Sequence, residues 1–239
     1  MQAISQRMFF YSSLLLAIYG TFWLIGGLFY AYVGSNVVFP LQTFLSSSTT
    51  TIQAFFTLSK PFANIYVLIF SLFALADLSL VLIGGVFYYL FRDSYKGVII
   101  LLCLLIGGGF GTIVDIFLLS YWHVIWAVLP NGSVNTLLPF WNSLGVIEYF
   151  TIWLSAAGFL MGTLGYYSIY SVAQEKQVFS KSWRYLTLFS TFLSGLSVIA
   201  IILSLFGASD LFIGILFFIA TVIISPLWSY WTIFELKKL

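Results

Sequence analysis

Asp77, Asp115 and Glu148 are the residues of this 239-residue chain whose type and placement could do chemistry, because each interrupts a long apolar run. A carboxylate at the centre of a hydrocarbon layer costs about 2.5–3.5 kcal/mol on insertion scales, so such a residue faces a bundle interior or a cavity and is functional by default. There it can hold a proton, bind a cation, or donate a hydrogen bond in its protonated form. Helical spacing puts all three acids on stripes of small residues. Asp77 shares a face with Ala74 and Gly84, Asp115 with Gly111 and Gly108, and Glu148 with Ser155 and Gly162. Small-residue stripes face neighbouring helices, so the carboxylates should point inward. No Lys, Arg or His lies within the apolar runs to neutralise them. The functional expectation is a cation or proton site between three spans, open outward, with Trp122, Tyr149 and Trp153 as cation-binding aromatic walls. The alternative is a set of protonated acids serving as interhelical hydrogen-bond donors.

Other chemistries can be tested against the remaining residues. The stretch "IGGGFGTIVD", 106–115, carries four glycines, but neither frame of it spells G-x-G-x-x-G: the third position is Thr112 counted from Gly107 and Val114 counted from Gly109. No lysine is present for a phosphate-binding loop, and the stretch sits mid-span, where no nucleotide would reach it. Helix packing remains. Gly107 with Gly111, and Gly158 with Gly162, have the G-x-x-x-G spacing that lets two backbones approach. His123 could join Asp115 and Glu148 as a metal ligand, yet its aromatic loop favours a solvated or hydrogen-bonded imidazole, and no metal is assigned. A single histidine outside the core argues against a bis-histidine haem, and a single cysteine, Cys103, allows neither an internal disulfide nor a cysteine cluster. No G-x-S-x-G elbow accompanies a usable His and acid. The expectation is therefore no cofactor and, on balance, no enzyme.

The elements that must position these residues follow from composition. The chain is 62% hydrophobic and 7% charged, with a mean hydropathy of +1.08, against about 25% charged for soluble domains. Runs of about 20 apolar residues can cross the bilayer as helix, whereas a barrel would need short alternating strands. The fold expected is all-α: a polytopic transmembrane helical bundle forming one integral membrane domain over 1–239. Its six spans lie near 9–33, 62–91, 98–121, 145–173, 185–206 and 211–234. The N-terminal run is too long, and lacks the small-residue site, for a cleaved signal peptide. Arg7, Arg92, Lys96, Lys176, Lys181, Arg184, Lys237 and Lys238 fall on one side of these spans and only Lys60 on the other. The positive-inside rule then puts both termini in the cytoplasm, in a multi-pass protein of the cell membrane. The scattered basic residues give no nucleic-acid surface.

Between spans, residues 34–61 are long for a connector and read as an interfacial or re-entrant helix. Residues 121–145 contain no Asp, Glu, Lys or Arg but hold Trp122, Trp126 and Trp141, so this loop should lie in the headgroup layer. Asn131-Gly132-Ser133 within it matches the glycosylation tripeptide. Spans 5 and 6 turn in about four residues, which makes them an antiparallel hairpin. Pro226 should kink the last span, with Ser225 nearby to satisfy freed carbonyls, and it could act as a hinge. Ser190, Ser194 and Ser197 line one face of span 5 as interhelical glue.

In layout the chain resembles the small six-span membrane proteins of prokaryotes that have short inner loops, a long first outer loop and a basic C-terminal end. That resemblance carries no motif and implies no site. Three functions stay open: an accessory or scaffold subunit of a larger membrane complex, with membrane-protein partner subunits or a homo-oligomer; a small secondary transporter or cation-binding protein; and a lipid-modifying enzyme. The first is the sequence's leading expectation, because no cofactor motif is present and little soluble surface remains. The third is weakest, because no nucleophile or basic phosphate-binding cluster accompanies the acids.

Overall fold

A chain that leaves almost no polar side chains to water must satisfy its backbone within each segment, and helices do this. The computed structural model describes residues 5–34, 48–128, 134–206 and 210–239. It is all-α and 93% helical, with six helices long and apolar enough to span a membrane. In chain order the α-helices are α1 (Gln6–Gly34), α2 (Thr49–Ser59), α3 (Ala63–Phe91), α4 (Tyr95–Val128), α5 (Val134–Glu175), α6 (Lys181–Leu205), α7 (Asp210–Phe218) and α8 (Ser225–Leu236), with α2 and α3 continuous in one spanning helix and α7 and α8 in another. A 3-10 turn, Lys60–Phe62, joins α2 to α3, and a π-helical turn, Ile219–Ile224, joins α7 to α8.

The packing closes a ring. The third helix packs on α1 and α4, α5 on α4 and α6, and the α7–α8 unit on α6 and α1. A ring of six helices has a middle, and its two ends are sealed by different aromatic clusters. At one end Trp183 and Trp228, both fully buried, pack with Phe87, Phe91, Tyr19 and Tyr166. Their indole groups are satisfied reciprocally: Trp183 Nε1 donates to Thr232 Oγ1 (2.9 Å) and Trp228 Nε1 to Thr187 Oγ1 (3.0 Å), while Thr187 and Thr232 donate to the Trp183 and Trp228 carbonyls. Replacing Trp183 with Phe removes one of these bonds and leaves a gap in a fully buried layer. We expect a loss of about 2 kcal/mol, read as a lowered detergent melting temperature.

This same end carries the basic connections. Lys96 pairs with Glu175, and Lys176 with Asp93 at 2.5 Å, which ties the α3–α4 turn to the end of α5. The Lys176 ammonium holds the Asp93 carboxyl below the usual carboxylate range, although so exposed a pair adds little stability. Ser180 caps α6 by accepting from the Trp183 amide, and its own amide donates to Glu235 of α8 (2.9 Å). The α3–α4 turn is tight: a methyl group on Gly97 would meet the Phe91 carbonyl oxygen at 2.5 Å, whereas one on Gly85 would meet nothing. Gly97→Ala should therefore cost about 1–3 kcal/mol and Gly85→Ala should be neutral or mildly stabilising, as detergent melts would show.

Three features differ from the sequence expectations. The surface loop foreseen at 121–145 is largely helix, because α4 runs to Val128 and α5 starts at Val134. Trp122 and Trp141 are buried, 7% and 1% exposed, against Phe55 and Phe56 of α2 rather than standing on an open loop. With no charged residue to draw the segment into water, helix continuation and burial by α2 win. The side chain of Trp126 and the Asn131-Gly132-Ser133 tripeptide lie outside the described residues. The second difference concerns 34–61. Residues 35–47 lie outside the described residues, but α2 runs through the 3-10 turn into α3 as its extension, with Ile52, Phe55 and Phe56 buried. Pro61, in the first positions of that turn, needs no amide partner there. Third, the disturbance at Pro226 is a π-helical turn. Pro226 has no amide to donate to the Val222 carbonyl, and the Ser225 amide reaches back five residues to Ala220. Thr221 Oγ1 donates to the Phe217 carbonyl at 2.8 Å.

Candidate functional site: an acid-lined cavity inside the ring

Asp77 is the middle residue of α3 and is 9% exposed. It can point inward because α4 presents glycine to it. A methyl group on Gly111 would collide with the Asp77 carboxylate itself, and one on Gly108 would meet the Asp77 carbonyl oxygen at 2.7 Å. The glycine run thus serves two neighbours. Gly108 and Gly111 admit α3, while Gly107 admits α5: a methyl on Gly107 would meet the Gly158 carbonyl oxygen at 3.1 Å and the Gly162 amide nitrogen at 3.5 Å.

Asp115 follows Gly111 by one helical turn, on the same face. It is 6% exposed, and its Oδ2 is buried with no hydrogen-bond partner. Side chains one turn apart have Cβ atoms about 5–6 Å from each other, and the Asp77 carboxyl occupies the position a Gly111 Cβ would take. The two carboxyl groups are therefore near neighbours. Glu148, ten residues before Gly158 on α5, lines the same space.

These three acids are among the residues that line a cavity of about 430 Å³. Helix α3 contributes Asp77, α4 Asp115, α5 Glu148, and α6 Ser190 and Ser194; Tyr19 comes from α1, Thr221 from the π-helical turn, and Ser225 from α8. No Lys, Arg or His of the described residues lines it, and none of the ion pairs among the described residues involves Asp77, Asp115 or Glu148. Ser194 Oγ donates across to the Phe159 carbonyl of α5 (2.8 Å), while Ser190 and Ser197 donate to carbonyls of their own helix. Ser197 borders a second space of about 340 Å³ that shares Glu148, Tyr30 and Ser155 with the first.

The aromatic walls differ from the set read from sequence. Trp122 lines the cavity, but Trp153 is 58% exposed on the outside of the bundle and Tyr149, half-buried, is not among the lining residues. Tyr149 and Trp153 lie one and five residues after Glu148 on α5, which turns them about 100° and 140° around the helix from it. The walls are instead Tyr66, stacked on Trp122 at 4.0 Å, and Trp23 against Phe73 at 4.6 Å, with Phe217 beside them. On the side nearer the tryptophan layer, Tyr19 and Tyr166 share a hydrogen bond of 3.0 Å and Tyr19 reaches Ser225 at 3.5 Å. Sequence reasoning missed these tyrosines; with 15 Tyr and 26 Phe in the chain, aromatic identity alone selects none of them.

His123 is exposed and does not line the cavity. Among the described residues, no three His, Cys, Asp or Glu side chains lie close enough together to hold a metal ion. Cys103 is buried and borders the cavity. No protein family, no curated protein and no solved structure matches this chain.

Proposed function

We propose that this protein is a small cation- or proton-binding membrane protein of the secondary-transporter type, with the central cavity as its binding site. The observation that carries this reading is that Asp77, Asp115 and Glu148, from three helices, line one cavity with no basic residue among the described residues of its lining. Carboxylates taken out of water without a partner are costly, so they need a compensating charge: a bound proton or a bound cation. A cavity large enough for a ligand is the place to supply it. Placing the basic connections in the cytoplasm of a cell-membrane protein puts both termini there and the Tyr66–Trp122 end of the cavity on the outer side.

The accessory-subunit expectation rested on the absence of a cofactor motif, the scarcity of soluble surface, and glycine and aromatic faces suited to partner helices; the glycines of those faces, Gly107, Gly111, Gly158 and Gly162, pack within this chain. The exposed Leu, Ile and Phe side chains around the ring are what lipid requires of any bundle, so they do not by themselves favour it over the cavity reading. The test is thermal melting of the purified protein in detergent across pH and with added sodium, potassium or organic ammonium salts. Wild type should shift with pH or with one of the cations, and the isosteric Asp77→Asn should lose that shift while remaining folded. A wild-type melt indifferent to pH and to every cation contradicts the proposal.

A further inference from the structure

We infer that the positive charge this cavity takes is carried by an organic cation with an apolar or aromatic body, a quaternary or protonated amine, rather than by a bare metal ion. The inference rests on the cation-site reading above and narrows its substrate class.

Two independent observations support it. The first concerns the acids. A hard metal cation of the calcium class is wrapped by about six to eight oxygen ligands at short range, carboxylates foremost, and among the described residues no three His, Cys, Asp or Glu side chains are gathered closely enough to supply them. Yet Asp115, only 6% exposed, lines the cavity beside Asp77 and leaves its buried Oδ2 without a hydrogen-bond partner. An ammonium group meets such a pair without an oxygen shell, because it is held by charge and one or two contacts.

The second observation concerns the rest of the wall. The cavity's 430 Å³ falls within the roughly 300–1,000 Å³ of small-molecule sites, which are mostly apolar with a few placed polar groups. Beyond the acids it is walled by Trp23, Phe73 and Phe217 in mutual contact and by the Tyr66–Trp122 stack. Aromatic faces attract cations, quaternary ammonium above all, and give an apolar body the burial it seeks. The ligand's charge then sits at Asp77 and Asp115 and its body lies toward Tyr66 and Trp122.

The experiment measures equilibrium binding of benzyltrimethylammonium to the full-length protein in detergent, beside tetramethylammonium, sodium, potassium and the uncharged carbon analogue neopentylbenzene. Proton uptake on acidification is followed in parallel. We expect saturable binding of benzyltrimethylammonium, weakened roughly tenfold or more by Asp77→Asn and separately by Asp115→Asn, and roughly three- to thirty-fold by Trp122→Leu. Tetramethylammonium should bind more weakly and neopentylbenzene should not respond to the acid variants. Elution as a single folded species qualifies each variant, and Asp115→Asn gives the answer if Asp77→Asn fails that check. Saturable sodium, potassium or proton binding that needs Asp77, with no organic-cation binding, overturns this inference and leaves the cation-site reading standing. Binding of benzyltrimethylammonium unchanged in both acid variants also overturns it. Neither organic, inorganic nor proton binding overturns both.

Discussion

Gly111→Ala should abolish ligand binding and lower stability by about 1–3 kcal/mol, a loss of binding that Gly97→Ala, of similar stability cost, should not show. The alanine Cβ would occupy the place of the Asp77 carboxylate. Asp77 cannot yield outward, because it sits at the middle of α3 with Ala76 and Leu80 buried around it. Either α3 and α4 separate, which loosens the ring's most extensive helix pair, or the carboxylate is driven deeper into the cavity and fills the ligand's position. Gly109→Ala is the internal control: two residues away on the same helix, its Cβ meets nothing within 4 Å. That substitution should instead add roughly 0.5–1 kcal/mol through helix propensity. Thermal melts and cation titrations of the two variants check the pair, and equal behaviour would contradict the close approach at Gly111.

The second large effect is expected from Asp77→Asn combined with Asp115→Asn. If both carboxylates serve one bound charge, each single substitution weakens binding by roughly tenfold or more, and the double variant is scarcely worse than the poorer single one. Independent sites would give additive losses. Stability without ligand should move the other way. Removing two neighbouring acids from a space with no basic residue relieves a desolvation cost, so the double variant should melt higher than wild type, by roughly 1–4 kcal/mol at neutral pH. A destabilised double variant would mean that the acids act as interhelical hydrogen-bond donors, the structural role weighed from the sequence.

The acids were legible in the sequence because charge inside an apolar run is costly, and that cost is visible without coordinates. Small residues at helical spacing around Asp77, Asp115 and Glu148 gave their inward direction, and hydropathy gave six long helices. What could not be read was which helix each glycine admits. The G-x-x-x-G pairs pointed to packing in general, but only the fold puts Gly111 against Asp77 and Gly107 against Gly158. Aromatic residues were the other obscure part. Trp122 and Trp141 suit a headgroup position by composition and Trp153 suits a cavity wall, yet α2 covers the first two and the third faces outward, a distinction that depends on neighbours distant in sequence. The π-helical turn was foreseen only as a kink, since a proline announces a lost hydrogen bond but not how the helix redistributes it.

Infrared difference spectroscopy of the carboxyl groups tests the central claim most directly, because it sees the acids rather than their consequences. The purified protein is titrated with protons, sodium, potassium and benzyltrimethylammonium while the protonated and ionised carboxyl stretches are recorded. The account predicts that at least one of these ligands changes a carboxyl band saturably, and that the band is missing from the folded Asp77→Asn, Asp115→Asn double variant. Carboxyl bands that respond to none of them, or that respond identically in the double variant, would contradict it.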